Sequence, residues 1–169
     1  KNKVLNIIGN YSLVFALLIS LMLTLISFIN FKSNKSIDFN IFGAVVLQFT
    51  LICVSFFTLI FAFIYSDFSN AAVYNNSHTS KPLFYKISGT WGNHEGSLLL
   101  WLLVLSLFTL IFLLRSKKLL NSFRILTIFF QQIITVGFIF FIIFLSNPFQ
   151  LILPTPNEGL GLNPILQDP

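Results

Sequence analysis

At 169 residues the chain could form one domain, but 56% of it is hydrophobic and only 9% is charged, against roughly 25% charged in soluble domains. Such a composition lacks the polar surface a soluble fold needs, so it points to an all-α integral membrane protein. The net charge of +5 is no sign of nucleic-acid binding, because the lysines and arginines flank hydrophobic blocks and form no patch.

Four segments are long and uncharged enough to cross a hydrocarbon core, which takes about 20 residues of helix. They are predicted at 11–31, 41–65, 96–114 and 125–145. In lipid each must satisfy its own backbone hydrogen bonds, as helices do. The first run is too long for the apolar core of a cleaved signal peptide. Polar side chains within the spans are few: Gln48, Gln131, Gln132 and scattered serines and threonines. No acid, base or histidine lies at mid-membrane depth, which argues against an ion or proton path through this segment. The glutamines are expected to be interhelical hydrogen-bonding groups. Cys53 reads as a small hydrophobe within the second span; as the chain's only cysteine it has no partner for an intrachain disulfide.

Charge orients the bundle. The first and third connections carry Lys32, Lys35, Arg115, Lys117, Lys118 and Arg124 against Asp38. The opposite side carries Lys1, Lys3, Lys81 and Lys86 against Asp67, Glu95, Glu158 and Asp168. The basic connections should face the cytoplasm or matrix. The 66–95 loop and the 146–169 tail should face the periplasm, intermembrane space or lumen. Heavy use of Phe, Ile, Asn and Lys fits AT-rich coding, as in an organellar genome or an AT-rich bacterium.

The loop before the third span is broken by Asp67, Asn75, Asn76, Pro82 and Gly89. Its 82–87 stretch is apolar and aromatic enough to lie along the membrane surface. Trp91 and Trp101 bracket the helix start, where interfacial anchors belong. Asn93 is a plausible N-cap, and Glu95 in the first turn suits the helix dipole by about 0.3–1 kcal/mol. Gly92 and Gly96 leave room for a backbone or ligand to come close. His94, Ser97 or Leu98, and Trp101 would share one helix face. One reading is a capped helix start with belt tryptophans. The other is a surface for a flat, apolar, anionic ligand, with His94 as its polar contact. One histidine beside one glutamate is no metal site, and His78 sits in a solvated run. The Pro- and Gly-rich tail is predicted to be extended and tucked against the bundle or a partner.

Tyr85 and Lys86, the block WGNHEGSLLLW at 91–101, and the block SNPFQLILPTPNEGLGLNPILQDP at 146–169 together resemble the cytochrome c maturation haem lyases of the CcmF type. That family includes the related NrfE proteins and, more distantly, the CcsA proteins of plastids. The order of the blocks and their separation by one helical hairpin also match. The resemblance covers residues 65–169; the first two spans match by hydropathy only.

The resemblance implies a membrane core that receives haem from a chaperone and joins it by thioether bonds to apocytochrome c. The family handles haem with a tryptophan-rich periplasmic segment, flanking histidines and membrane histidines. This chain carries no such tryptophan-rich segment, and no histidine follows His94. No haem ligation, catalytic role or metal site can therefore be assigned to it. Only Trp91, Gly92, His94, Glu95, Gly96 and Ser97 match a family motif; with Trp101 they are candidates for a haem or apocytochrome surface. The expectation is the N-terminal part of a split haem lyase, as in mitochondrially encoded members, with Lys1 in place of an initiator Met suggesting trimmed ends. Other lyase chains carrying the tryptophan-rich segment would be its partners, and haem would be bound by the whole assembly. A non-catalytic structural subunit of a larger membrane or respiratory complex is the alternative.

Overall fold

The computed structural model describes residues 3–33 and 39–161. Lys1, Lys35, Asp38 and the stretch 162–169, which entered the charge count and the expectation for the tail, lie outside the described residues. The chain forms helices α1 (Lys3–Lys32), α2 (Phe39–Ile64), α3 (Ala71–Asn76), α4 (Leu83–Gly89), α5 (His94–Arg115) and α6 (Asn121–Leu145). A 3-10 turn at Ser116–Lys118 links the last two. Helices α1, α2, α5 and α6 are each long and apolar enough to cross a membrane.

Helix α1 packs against α2 and α6, and α5 packs against the same two, so the spans close a ring in chain order. Leu13, Ile52, Leu59, Phe63, Leu99, Leu102, Ile139 and Ile142 fill its interior. Beside them lie buried Ser20, Ser27, Ser55, Thr58, Ser106, Thr109 and Thr135. The outer wall is greasier than the core: Phe15, Phe57, Phe108 and Phe140 are all exposed. That inversion fits lipid as solvent, where burying apolar area drives nothing and small residues let helices close up. Most of the hydroxyls turn onto their own helices, as Ser20 does to the Ala16 carbonyl at 2.7 Å and Thr135 to that of Gln131 at 2.9 Å, whereas Ser55 donates to the Gly9 carbonyl of α1 at 3.1 Å.

One polar link crosses the ring. Gln48 on α2 and Gln132 on α6 exchange amide hydrogen bonds, Nε2 to Oε1, of 2.9 and 3.1 Å. Gln48 also donates to the Ser20 hydroxyl on α1. Both amides are buried, and the pair satisfies what neither could satisfy alone. Gln131 takes no part; its Oε1 is buried without a hydrogen-bond partner.

All four spans start earlier than expected, by two residues in α2 and α5, four in α6 and eight in α1. Helix α1 begins about two turns before residue 11. Asn6 and Asn10 lower the hydropathy there, yet both are bonded inside the protein. Helix α2 closes in a Schellman motif: Asp67 N–H reaches the Ala62 carbonyl at 2.9 Å and Ser66 N–H reaches that of Phe63 at 3.1 Å. Ser66 takes the left-handed position (φ 52°) that glycine usually fills, so no glycine marks the stop. The 66–95 segment is also more ordered than an irregular loop, since it contains α3 and α4.

Candidate functional site

A polar cap sits where α1 and α5 begin and α2 and α6 end. Asp67 is buried beneath it and accepts from Asn6 Nδ2 (3.3 Å), from the Ser69 hydroxyl (2.6 Å) and from Ser69 N–H (3.2 Å). Asn70 caps α3 by accepting from Val73 N–H at 3.1 Å. Its amide nitrogen donates to Asn6 Oδ1 and, at 2.8 Å, to the Pro148 carbonyl. Three distant parts of the chain therefore share one buried network. A buried polar group costs roughly 1–3 kcal/mol when left unpaired, so these bonds hold one another in place.

The tail after α6 is stitched onto this network. Ala71 N–H donates to the Gln150 carbonyl (2.8 Å) and Ile152 N–H to that of Ser69 (2.9 Å), around an isolated antiparallel bridge of Asn70 with Leu151. Phe149 is buried over Gly9, where an added Cβ would come within 2.2 Å of the ring. Gly159 similarly admits the Ser77 carbonyl, which a Cβ would meet at 2.1 Å. Glu158 takes both Thr79 donors, N–H at 3.0 Å and hydroxyl at 2.6 Å. These bonds from Thr79 hold its carboxyl below the ordinary glutamate range. His78 lies 3.8 Å from the same carboxylate and bonds Ser80. It belongs to the tail clasp rather than to a free surface run.

The 91–97 turn is built almost wholly from its own backbone. Asn93 is the N-cap of α5, its Oδ1 accepting from Gly96 N–H at 2.8 Å while its Nδ2 donates to the Gly89 carbonyl at 2.8 Å. Ser97 turns its hydroxyl back to the Trp91 carbonyl at 2.6 Å. A Cβ on Gly96 would sit 1.6 Å from the Thr90 carbonyl oxygen. The room at Gly96 is thus taken by backbone, not kept open for a ligand. Gly92 is exposed and less crowded, its nearest neighbour being the Ser88 carbonyl at 3.3 Å from a Cβ. Glu95 is half-buried in the first turn.

His94 is exposed, and its Nδ1 meets the Ser146 hydroxyl at 2.9 Å, tying the start of α5 to the end of α6. One turn along α5, Leu98 joins Gly137, Phe138 and Phe141 of α6 around an apolar cleft of about 360 Å³. Trp91 and Trp101 are 41% and 62% exposed and share in none of the buried networks. The candidate residues are therefore contiguous at one corner of the cap, but Ser97 faces the turn and not a common surface with Trp101. Asn6, Asp67, Asn70 and Ser146, which order this corner, were not among the sequence candidates. Their one sequence signal is polar residues placed at the very ends of apolar runs.

Residues 91–169 match the family described as Cytochrome C assembly protein. The cytochrome c-type biogenesis protein CycK of Rhizobium meliloti is 40% identical over 162 residues, covering 95% of this chain and 24% of CycK. The cytochrome c-type biogenesis protein CcmF of Escherichia coli is 41% identical over 124 residues, 73% of this chain and 19% of that protein. A solved structure, "Cytochrome c Heme Lyase CcmF", superposes with a TM-score of 0.73 at 27% identity, over 86% of this chain and 25% of that one. The chain spans about a fifth to a quarter of the length of these curated relatives. With both sequence blocks and the bundle aligned in this way, the chain belongs to the CcmF-type cytochrome c biogenesis family.

Proposed function

We propose that the chain is the N-terminal part of a split cytochrome c haem lyase, taking part in covalent haem attachment to apocytochrome c. The observation that carries this reading is the meeting of the two family blocks. His94 of the first and Ser146 of the second are far apart in sequence and hydrogen-bonded at 2.9 Å, so what the family block shares is a folded corner and not two separate motifs. The 91–97 turn, with Trp101, is its haem or apocytochrome surface. The chain does not ligate haem alone: among the described residues only His78 and His94 offer imidazoles, and His78 is engaged with Ser80 and Glu158. Haem is bound by the whole assembly, with other chains providing the tryptophan-rich segment and a haem chaperone delivering the cofactor.

In this reading the protein resides in the mitochondrial inner membrane, with the polar cap on the intermembrane-space side; in a bacterium the cap faces the periplasm. The charge count supports that orientation, since Arg115, Lys117, Lys118 and Arg124 cluster at the opposite end. Purification in mild detergent followed by mass spectrometry tests the assignment. A chain bearing the tryptophan-rich segment should come with it, and loss of this chain should abolish haem-stained c-type cytochromes. Stoichiometric recovery with a respiratory complex, with cytochrome c maturation intact, would instead establish the structural-subunit alternative. A thiol probe at Asn76 labelling from the matrix or cytoplasmic side would reverse the orientation.

A further inference from the structure

Helix α4 has no buried residue. Its leading side chains Leu83, Phe84 and Tyr85 are 58%, 76% and 57% exposed, and the two rings stand edge to face at 6.0 Å. A seven-residue helix is too short to persist without packing on one side, and so apolar a tip would not be left in water. We infer that α4 is an in-plane anchor whose Leu83, Phe84 and Tyr85 insert into the lipid leaflet on the cap side of the bundle.

The depth of α4 comes from its contacts with α2. The 26 residues of α2 rise about 39 Å at 1.5 Å each, more than the hydrocarbon core of about 30 Å. The last turn of α2 therefore lies at the headgroup boundary. Helix α4 leans on that turn: Gly89 abuts the Phe63 ring, 3.4 Å from where its Cβ would be, and Lys86 Nζ donates to Ser66 Oγ at 2.7 Å. Tyr65, at the same level, is also exposed and stacks on Phe61. The apolar tip of α4 is thus continuous with the lipid-facing wall of the bundle, at the level where aromatic side chains are enriched.

Charge selects lipid over an acidic partner. The two lysines that bracket the tip are drawn back into the protein, Lys86 to Ser66 and Lys81 Nζ to the Asn76 carbonyl at 2.7 Å. Burial holds the Lys81 ammonium below the ordinary lysine range. The tip consequently presents apolar and aromatic surface with no free cation, which suits the boundary between acyl chains and headgroups. One consequence concerns the neighbouring turn. Thr90 and Trp91 follow α4 directly and are bonded to its Ile87 and Ser88 carbonyls, so an inserted α4 fixes the 91–97 turn at headgroup level.

The inference is tested with nitroxide labels on the full chain in phosphatidylcholine bilayers, in a Cys53→Ala background. Single cysteines are placed at Leu83, Phe84, His78 and Phe108, the last on the exposed outer wall of α5, and collision rates with oxygen and with a water-soluble nickel chelate are compared. The Leu83 and Phe84 labels should favour oxygen as the Phe108 label does, severalfold more than the His78 label. Equal behaviour of Phe84 and His78 would place α4 in water and overturn the inference. Exclusion of both reagents at Leu83 and Phe84 would show the tip covered by protein, and would overturn it equally. Because the readout is collision and not haem attachment, it can fail while the proposed function stands.

Discussion

The bundle and the cap hold together by different physics. In the bundle, position is set by shape: small hydroxylated residues let four helices approach, most of their hydroxyls bond their own helix, and one reciprocal amide pair crosses the ring. Many substitutions there would exchange one apolar contact for another. In the cap, position is set by individual contacts: the Thr90 carbonyl in the space at Gly96, the Ser77 carbonyl at Gly159, the Phe149 ring over Gly9, and the carboxylate of Asp67 shared by Asn6 and Ser69. A fold with a tolerant trunk and an intolerant crown carries its specificity in the crown.

The sharpest way to break that contrast is at Gly96. Gly96→Val would force at least the Cβ into an atom 1.6 Å away, on backbone that Asn93 and Ser97 pin in place. The expected cost is about 3 kcal/mol or more, at or beyond the upper end of ordinary overpacking, read as loss of the chain from the membrane and of thermal resistance in detergent. Gly137→Val is the matched control in the bundle, since a Cβ at Gly137 meets nothing within 4 Å. Equal loss in the two variants would remove the distinction between crown and trunk.

The amide pair that crosses the trunk makes the second test. Gln48→Leu leaves the Gln132 amide buried without its partner, a cost of roughly 1–3 kcal/mol. Replacing both, Gln48→Leu with Gln132→Leu, removes the need as well as the bond and should recover most of the stability. A double variant as unstable as the sum of the single ones would mean that the pair does more than satisfy itself.

A smaller and reversible effect is expected at the tail clasp. Glu158 has a folded pKa held below its ordinary value by the two Thr79 hydrogen bonds. Its contribution is therefore complete above the ordinary glutamate range and fades as pH falls through the lowered folded value. The amides of Leu160 and Gly161, bonded to the Tyr74 and Ser77 carbonyls, should exchange faster with acidification once the intrinsic rates are divided out. Glu158→Gln should flatten that dependence. Persistence of the full pH response in Glu158→Gln would assign it to another group.

How much of this was legible in the sequence follows the same division. Hydropathy locates a helix wherever lipid is the solvent, because a span must be apolar along its whole length; hence the four spans could be read directly. It misplaced the start of α1, because Asn6 and Asn10 are polar for reasons supplied by Asp67 and Asn147, residues remote in the chain. The Asn93 cap was visible because capping is local, acting across three residues. The bond from His94 to Ser146 was not, since nothing in either block states that the α5–α6 hairpin returns its second end to the first. The Gln48–Gln132 pairing was likewise out of reach: the polar character of Gln131 and Gln132 is the same, and only helical phase decides which one faces Gln48.

The smallest structural effect is expected where the functional effect should be largest. His94 is exposed, and His94→Ala removes one hydrogen bond to Ser146 without opening a cavity, so its cost to stability should stay within about 0.5 kcal/mol. Trp91→Ala, which strips an interfacial anchor, should lower the amount of chain in the membrane by more. If the 91–97 turn is a haem or apocytochrome surface, His94→Ala should reduce haem-stained cytochrome c while the blotted level of this chain stays normal. Ser146→Ala separates contact from support. It breaks the same hydrogen bond but leaves the imidazole in place, so a defect shared by both variants would assign the effect to the α5–α6 junction. A defect confined to His94→Ala would assign it to the imidazole itself. Silence of His94→Ala in both assays, with chain lost in Trp91→Ala, would reduce the turn to an anchor and remove His94 from the proposed surface.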